Sequence, residues 1–386
     1  MPSSCFCIFS ALYPPSMGGV ETYTENLAQA LAESGHRVIV ATLATHGPTG
    51  AVTENGVEIA RLPCRRFLDN RYPIALKNNR YRELWSRLQG ERIDYVIVNT
   101  RFYPHSLEGL AFAQAKGIAP ILIEHGSAHL TMGSPLVDAG VKLIEHAMTR
   151  AGRRYGASYY AVSRKASAWL SHFGLDSQGE LPNAISADAY IANASERDFR
   201  SEFGLSSDAF AVAFVGRLVR EKGVLELAQA VAEWSSAQDV TLLVAGDGPL
   251  REALHALENS RLRLLGKLSG KDVAALLAQV DVLCLPSRSE GFATTMLEAA
   301  ACSTPAIVTD VGGVDELVPD ESFGTVIPDK TPETIREALE RAAENRRRLQ
   351  SQGRNAGRRV RSEYSWEKTA ARAAEACRRA QEHRNL

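Results

Sequence analysis

Short apolar runs alternate with longer amphipathic runs from one end of the chain to the other. The first apolar run spans 5–12. Residues 21–34 follow with Leu27, Ala28, Leu31 and Ala32 at helical spacing. Gly35 then stops the helix, and Arg37 to Leu43 reads as a strand. This is a βαβ unit, which calls for a parallel sheet with helices on its faces. Further strands are predicted at 57–62, 95–99, 118–123 and 159–162, and helices at 75–88, 107–116, 136–154 and 165–173. Leu181-Pro182-Asn183-Ala184-Ile185 breaks the rhythm, and 186–208 is polar and irregular, which marks a domain boundary. A second series follows, with strands at 210–215, 240–245, 261–264, 282–285 and 306–309. Its helices fall at 224–235, 249–259, 270–279, 294–301 and 315–318. An Arg-rich helix over 332–360 and a last helix over 366–383 complete the chain. The pattern predicts two doubly wound α/β halves, a fold that takes ligands at the carboxyl ends of its strands.

The composition narrows the class. Hydrophobic residues make up 45% and charged residues 23% of 386 positions, which removes disorder, collagen and coiled coil as the main state. Lys and Arg total 44 against 45 Asp and Glu, a balance that argues against a dedicated nucleic-acid binder. The six cysteines, Cys5, Cys7, Cys64, Cys284, Cys302 and Cys377, form no CxxC pair, and no Cys/His cluster has zinc-ligand spacing. Cys284 and Cys302 read as small buried hydrophobes, which fits a reducing cytoplasm. Residues 1–13 lack a basic start before their apolar run and do not read as a signal peptide. No run of 18 apolar residues predicts a membrane span.

Four clusters carry chemistry. Glu290-Gly291-Phe292-Ala293-Thr294 joins the strand at 282–285 to the helix that carries Glu298. Gly291 permits a steep turn, and the first helical amides, near Ala293 to Thr295, form an end that attracts phosphate. Glu298 is placed to accept hydrogen bonds from a ribose diol. The plainer account is a helix-terminal acid and a solvated helix Glu. In the second cluster, Arg217 follows a strand and Lys222 precedes Gly223 at a helix start. Two cations at that sheet edge suit a diphosphate and its charge on leaving; a solvated basic loop is the alternative, preferred for Arg220. In the third, Gly18 and Gly19 lie between the first strand and first helix, where they permit close backbone approach to a ligand. Neither this loop nor Gly246-Asp247-Gly248-Pro249 is a GxGxxG fingerprint. The fourth is Glu124-His125-Gly126, with His125 at a strand end, where it reaches a sugar hydroxyl or a developing charge unless it is structural. No Asp-x-Asp pair occurs, so no carboxylate pair for a metal is evident. A base pocket is expected along the backbone from Gly266 through Lys267 and Leu268. From Arg61 to Arg92 nine basic residues stand against three acids, with Phe67, Tyr72, Tyr81 and Trp85 interleaved. This region suits an anionic lipid-linked acceptor, a membrane surface or a solvated helix face.

Together, Gly18-Gly19-Val20-Glu21, Glu124-His125-Gly126, Pro182-Asn183, Val215-Gly216-Arg217 with Lys222-Gly223, Gly246-Asp247-Gly248-Pro249 and Glu290-x7-Glu298 resemble the group 1 glycosyltransferases, family 4. The resemblance implies the GT-B fold, two Rossmann-like domains facing across a cleft. Residues 1–185 would bind the acceptor and 186–363 the nucleotide sugar, with 364–386 crossing back to the first domain. It implies a retaining, metal-independent transfer of a sugar from a nucleoside-diphosphate sugar to a hydroxyl acceptor, with no cofactor. The acceptor expected is a cell-envelope glycan, a glycolipid or a lipid-linked intermediate, and the setting is the cytoplasm or the inner face of the membrane. By that likeness Arg217 and Lys222 bind the diphosphate, Glu290 the sugar hydroxyls and Glu298 the ribose. Gly291, Phe292, Ala293 and Thr294 line phosphate or sugar, His125 approaches the donor sugar, and Gly18 and Gly19 touch diphosphate or acceptor. Ala293 and Thr295 depart from the residues frequent in the family there, which leaves the donor sugar open. The alternatives are a GT-B epimerase or phosphorylase, and a non-catalytic sugar-nucleotide-binding module.

Overall fold

A computed structural model of the chain describes residues 3–16, 18–67, 72–129, 135–236 and 238–384. Met17, Asp69 and Arg71 lie outside the described residues. The chain forms two compact units: Met1–Asn183 together with Trp366–Leu386, and Ala184–Ser365.

The first unit is built on the strands β1 (Cys5–Ser10), β2 (Arg37–Leu43), β3 (Gly50–Glu54), β4 (Val57–Leu62), β5 (Cys64–Phe67), β6 (Tyr72–Ala75), β7 (Tyr95–Asn99), β8 (Ile121–Glu124), β9 (Ser158–Ala161) and β10 (Ser177–Glu180). Eight of them form one sheet in the order β10-β9-β8-β7-β1-β2-β4-β3, parallel throughout except for β3, which runs antiparallel to β4. The central strand β1 is buried along its whole length, as a strand covered on both faces must be. The helix Trp366–Arg384 packs on this unit. Trp366 meets Tyr23 edge-on at 5.4 Å, and Thr369 donates to the carbonyl of Pro182 at 3.1 Å.

The region 61–92 folds differently from its prediction. Residues 72–75 pair with Cys64–Phe67 as a hairpin, and the helix begins only at Asn79, where the Asn78 side chain accepts from the Tyr81 amide at 2.9 Å. Tyr81 and Trp85 stack at 5.6 Å, and Trp85 extends to Phe9 and Phe112 in the core. Arg61 is buried, with its guanidinium over the Tyr13 ring. The aromatic interleaving is therefore mainly core packing.

The second unit is built on β11 (Phe210–Val215), β12 (Val240–Ala245), β13 (Leu262–Gly266), β14 (Val282–Leu285), β15 (Ala306–Thr309) and β16 (Thr325–Ile327). Its sheet runs β13-β12-β11-β14-β15-β16, all parallel. The helix predicted at 249–259 shortens to Arg251–His255. The helix predicted over 332–360 is two, Pro332–Glu344 and Arg346–Glu363. All six cysteines are free thiols; Cys284 is buried and Cys302 half-buried. Among the described residues no helix is long and apolar enough to cross a membrane.

Candidate active site

In the second unit the parallel register brings the carboxyl ends of four strands to one edge. Val215 pairs with Ala245, Ala245 with Gly266, and Ala213 with Leu283. Arg217, Gly246, Lys267 and the Pro286–Glu290 loop therefore leave the sheet on the same side, where open parallel sheets take ligands. Arg217 is exposed and, among the described residues, has no hydrogen-bond or ion-pair partner for its guanidinium. Lys222 ends a short 3₁₀ turn, Arg220–Lys222, and ion-pairs through Nζ with Glu290 Oε1. Both side chains are half-buried, so the pair is partly shielded from water. A backbone hydrogen bond from Arg288 to the Glu221 carbonyl, 2.7 Å, ties the Lys222 turn to the Glu290 loop.

Close backbone crossings hold these loops. A Cβ on Gly223 would lie 2.2 Å from the Pro286 carbonyl oxygen, and one on Gly246 1.8 Å from that of Gly216. Both glycines also have positive φ, so no other residue fits either place. A Cβ on Gly312 would lie 2.4 Å from the carbonyl oxygens of Glu290 and Gly291, and Ala293 donates its amide to Gly312 at 3.2 Å. Gly312 and Gly313 were not among the sequence candidates. The available signal was a glycine pair at a strand end, the same signal read at Gly18-Gly19.

Beyond this loop the helix Thr294–Ala301 begins at Ala293 with no side-chain cap, so its first amides are left to a ligand or water. Phe292 and Ala293 are buried, while Gly291 and Thr294 are half-buried. Glu298, half-buried on that helix, is no solvated helix acid: desolvation pushes its carboxyl up to about 7. Tyr190 lies within its electrostatic reach and, among the described residues, buries its hydroxyl without a hydrogen-bond partner. Nothing local marked Tyr190, which the short helix Ala187–Ala192 supplies. Lys267 is exposed and Leu268 half-buried at the end of β13.

Gly18, Gly19 and His125 belong to the first unit. Gly18 precedes the helix Gly19–Glu33 in extended backbone. A Cβ there would lie 2.5 Å from the Glu21 carboxylate, the far end of a side chain that can move aside. His125 stands edge-on to Tyr23 at 4.7 Å, and its Nε2 lies 3.0 Å from Asn99 Oδ1. Asn99 uses its Nδ2 to donate to Thr24 at 2.8 Å. Its Oδ1 is therefore an acceptor, which assigns the proton to Nε2 and the lone pair to Nδ1 of His125. Burial lowers His125 to about 3, so the ring is neutral at physiological pH. Beneath it Glu124 is buried, accepting from the amides of His125 at 3.1 Å and Gly126 at 2.8 Å. Its charge partner is the equally buried Arg101, at 2.8 Å.

Two family models match the chain in succession: Glycosyltransferase Family 4 over residues 17–188, and Glycosyl transferases group 1 over residues 195–359. The chain belongs to the group 1 glycosyltransferases, family 4. It is 25% identical over 345 residues to one component of the human phosphatidylinositol N-acetylglucosaminyltransferase, covering 87% of this chain and 68% of that one. Sucrose-phosphate synthase from Thermosynechococcus elongatus superposes with a TM-score of 0.76 at 20% identity, over 97% of this chain and 98% of the other. HepE from Anabaena, solved with UDP-glucose, superposes with a TM-score of 0.70 at 16% identity, over 96% and 98%. The fold of this glycosyltransferase is GT-B, two Rossmann-like α/β domains.

Proposed function

We propose that this enzyme transfers a sugar, with retention at the anomeric carbon and without a divalent metal, from a nucleoside-diphosphate sugar to a hydroxyl acceptor. The observation that carries the reading is the Lys222–Glu290 pair at the edge of the second sheet. A cation and a carboxylate are held together there, beside the uncapped helix start and on the edge that bears Arg217. The bound diphosphate takes over Lys222 and the open guanidinium of Arg217, and Glu290, released, accepts from the donor-sugar hydroxyls. The backbone from Gly291 to Thr294 lines the phosphate, with the Thr294 amide at the uncapped helix start donating to it, and Glu298 accepts from the ribose diol. The UDP-glucose bound to HepE supports this class of donor. The backbone around Lys267 and Leu268 is assigned to the base.

The anomeric carbon–oxygen bond to the diphosphate breaks as the acceptor oxygen attacks from the same face. The acceptor proton passes to the departing phosphoryl oxygen, and nucleoside diphosphate leaves. Lys222 and Arg217 neutralise the charge that grows on that group, in the place a metal ion otherwise fills. In the first unit, neutral His125 is assigned to a sugar hydroxyl through Nδ1, and Gly18 and Gly19 to the acceptor. The acceptor is assigned to the lipid-linked or glycolipid class, met at a membrane surface. Two observations support this: the lipid in the name of the human relative, and the exposed Leu136 and Leu143 on the helix Pro135–Arg153. Lys222→Ala is expected to lower turnover by about 10²–10³ while leaving the fold intact. The wild-type rate is expected to be indifferent to added Mg²⁺ or Mn²⁺ after chelation, and the product's anomeric proton coupling to match the donor's. Full turnover in Lys222→Ala, metal stimulation, or an inverted product would each refute the corresponding part.

A further inference from the structure

The first unit gathers three histidines that lie far apart in sequence. His129 follows β8, His146 lies on the helix Pro135–Arg153, and His172 ends the helix Arg164–His172. We propose that His129, His146 and His172 form a binding site for a divalent metal ion of the zinc class, separate from the nucleotide-sugar chemistry. One ring nitrogen from each lies within 4.8 Å of the other two. Zinc bonds of about 2.0–2.1 Å in tetrahedral geometry need nitrogens about 3.3 Å apart, so small side-chain rotations close the site. The absence of zinc-ligand spacing in the sequence is thus no guide here, because the ligands come from three elements.

The rings are held in place by their surroundings. Trp169 stacks flat on His172 at 4.7 Å and meets His129 edge-on at 4.9 Å, while Phe173 packs against His146 at 4.8 Å. Glu145 Oε2 lies 2.8 Å from Nδ1 of His129. A carboxylate on one imidazole nitrogen fixes the ring's tautomer and plane, as the outer partner of a metal-bound histidine does. His146 and His172 are exposed and His129 half-buried, so the open side admits the ion and leaves water as a fourth ligand. Three imidazoles select zinc, nickel, cobalt or copper over magnesium or calcium.

The site is connected inward. Glu145 faces Arg101 at 3.5 Å, and Arg101 pairs with Glu124, whose carboxylate takes the amides of His125 and Gly126. An occupied site therefore clamps two helices and adds positive charge at the outer end of the chain of groups that holds the His125 loop.

The test is a titration of the full chain, free of any oligohistidine tag and stripped with chelator, with ZnCl₂ against a chromogenic competitor. One Zn²⁺ per chain with micromolar or tighter affinity is expected, together with a zinc-dependent rise in the thermal midpoint. MgCl₂ is expected to do neither. The double variant His146→Ala/His172→Ala, altered only at exposed rings, is expected to keep its circular dichroism and lose about 100-fold or more in zinc affinity. Absence of stoichiometric binding, or equal affinity in the double variant, would overturn the proposal.

Discussion

Glu298 keeps its proton close to neutrality because the packing around it removes water that an ionised carboxylate needs. Its folded value, about 7, is above the ordinary 4.5, so the unfolded chain gives up this proton first. The contribution of Glu298 to stability therefore falls as pH rises from about 4.5 to about 7. Glu298→Gln is expected to raise the thermal midpoint relative to the parent at pH 8, with the difference vanishing below pH 4.5; a constant offset across that range would contradict the assignment. In the proposed function the same ionisation supplies the ribose acceptor. Affinity for the donor is thus expected to climb between pH 6 and 8 in the parent and to stay flat in Glu298→Gln, as calorimetry would show. The spacing of Glu290 and Glu298 was legible in the sequence. The desolvation of Glu298 was not, because Tyr190, from a distant helix, contributes to its surroundings. Likewise His125 stood out at its strand end, while the Asn99 and Thr24 bonds that fix its tautomer arise only when separate elements meet.

Elements with strong local patterns were read almost to the residue: β2, β4, β7, β11, β12 and β14 fall where the apolar runs place them. Three of those missed carry no such run. β3, β5 and β10 are short and largely exposed, and exposed strands need no apolar face. The break between Pro332–Glu344 and Arg346–Glu363 is set by one residue. Asn345 leaves helical geometry and its side chain accepts from the Arg348 amide at 3.1 Å. Arginines on either side favour helix, and only the capping preference of Asn hinted at the interruption. At this scale the loop crossings are the sharpest test. Gly246→Ala places a methyl group into the Gly216 carbonyl at a positive φ, with an expected cost of about 2–4 kcal/mol. Trp234, buried in the second unit, reports that loss in urea unfolding; an unchanged midpoint would show that the crossing is not constrained.

For the molecule as a whole, the alternation of strands and helices announced two α/β units, and the structure parts them at Asn183/Ala184 and again at Ser365/Trp366. The final helix is thus structural material of the first unit. Gln381 Oε1 accepts from the Ala119 amide at 2.8 Å, and Trp366 covers Tyr23. Trp366→Ala is expected to destabilise the first unit by about 3–5 kcal/mol without changing nucleotide affinity, since the proposed nucleotide site lies in the other unit. Proteolysis in urea followed by nucleoside-diphosphate titration separates the two effects, and a parallel loss of nucleotide binding would contradict that division. In the proposed function Lys222 is the ammonium that meets the diphosphate. The most direct test of that role is calorimetric titration of UDP, GDP and ADP into the parent and into Lys222→Ala. At least one nucleoside diphosphate is expected to bind the parent and to bind the variant tenfold or more weakly, with unfolding curves alike. Equal affinity in the two proteins would contradict the account.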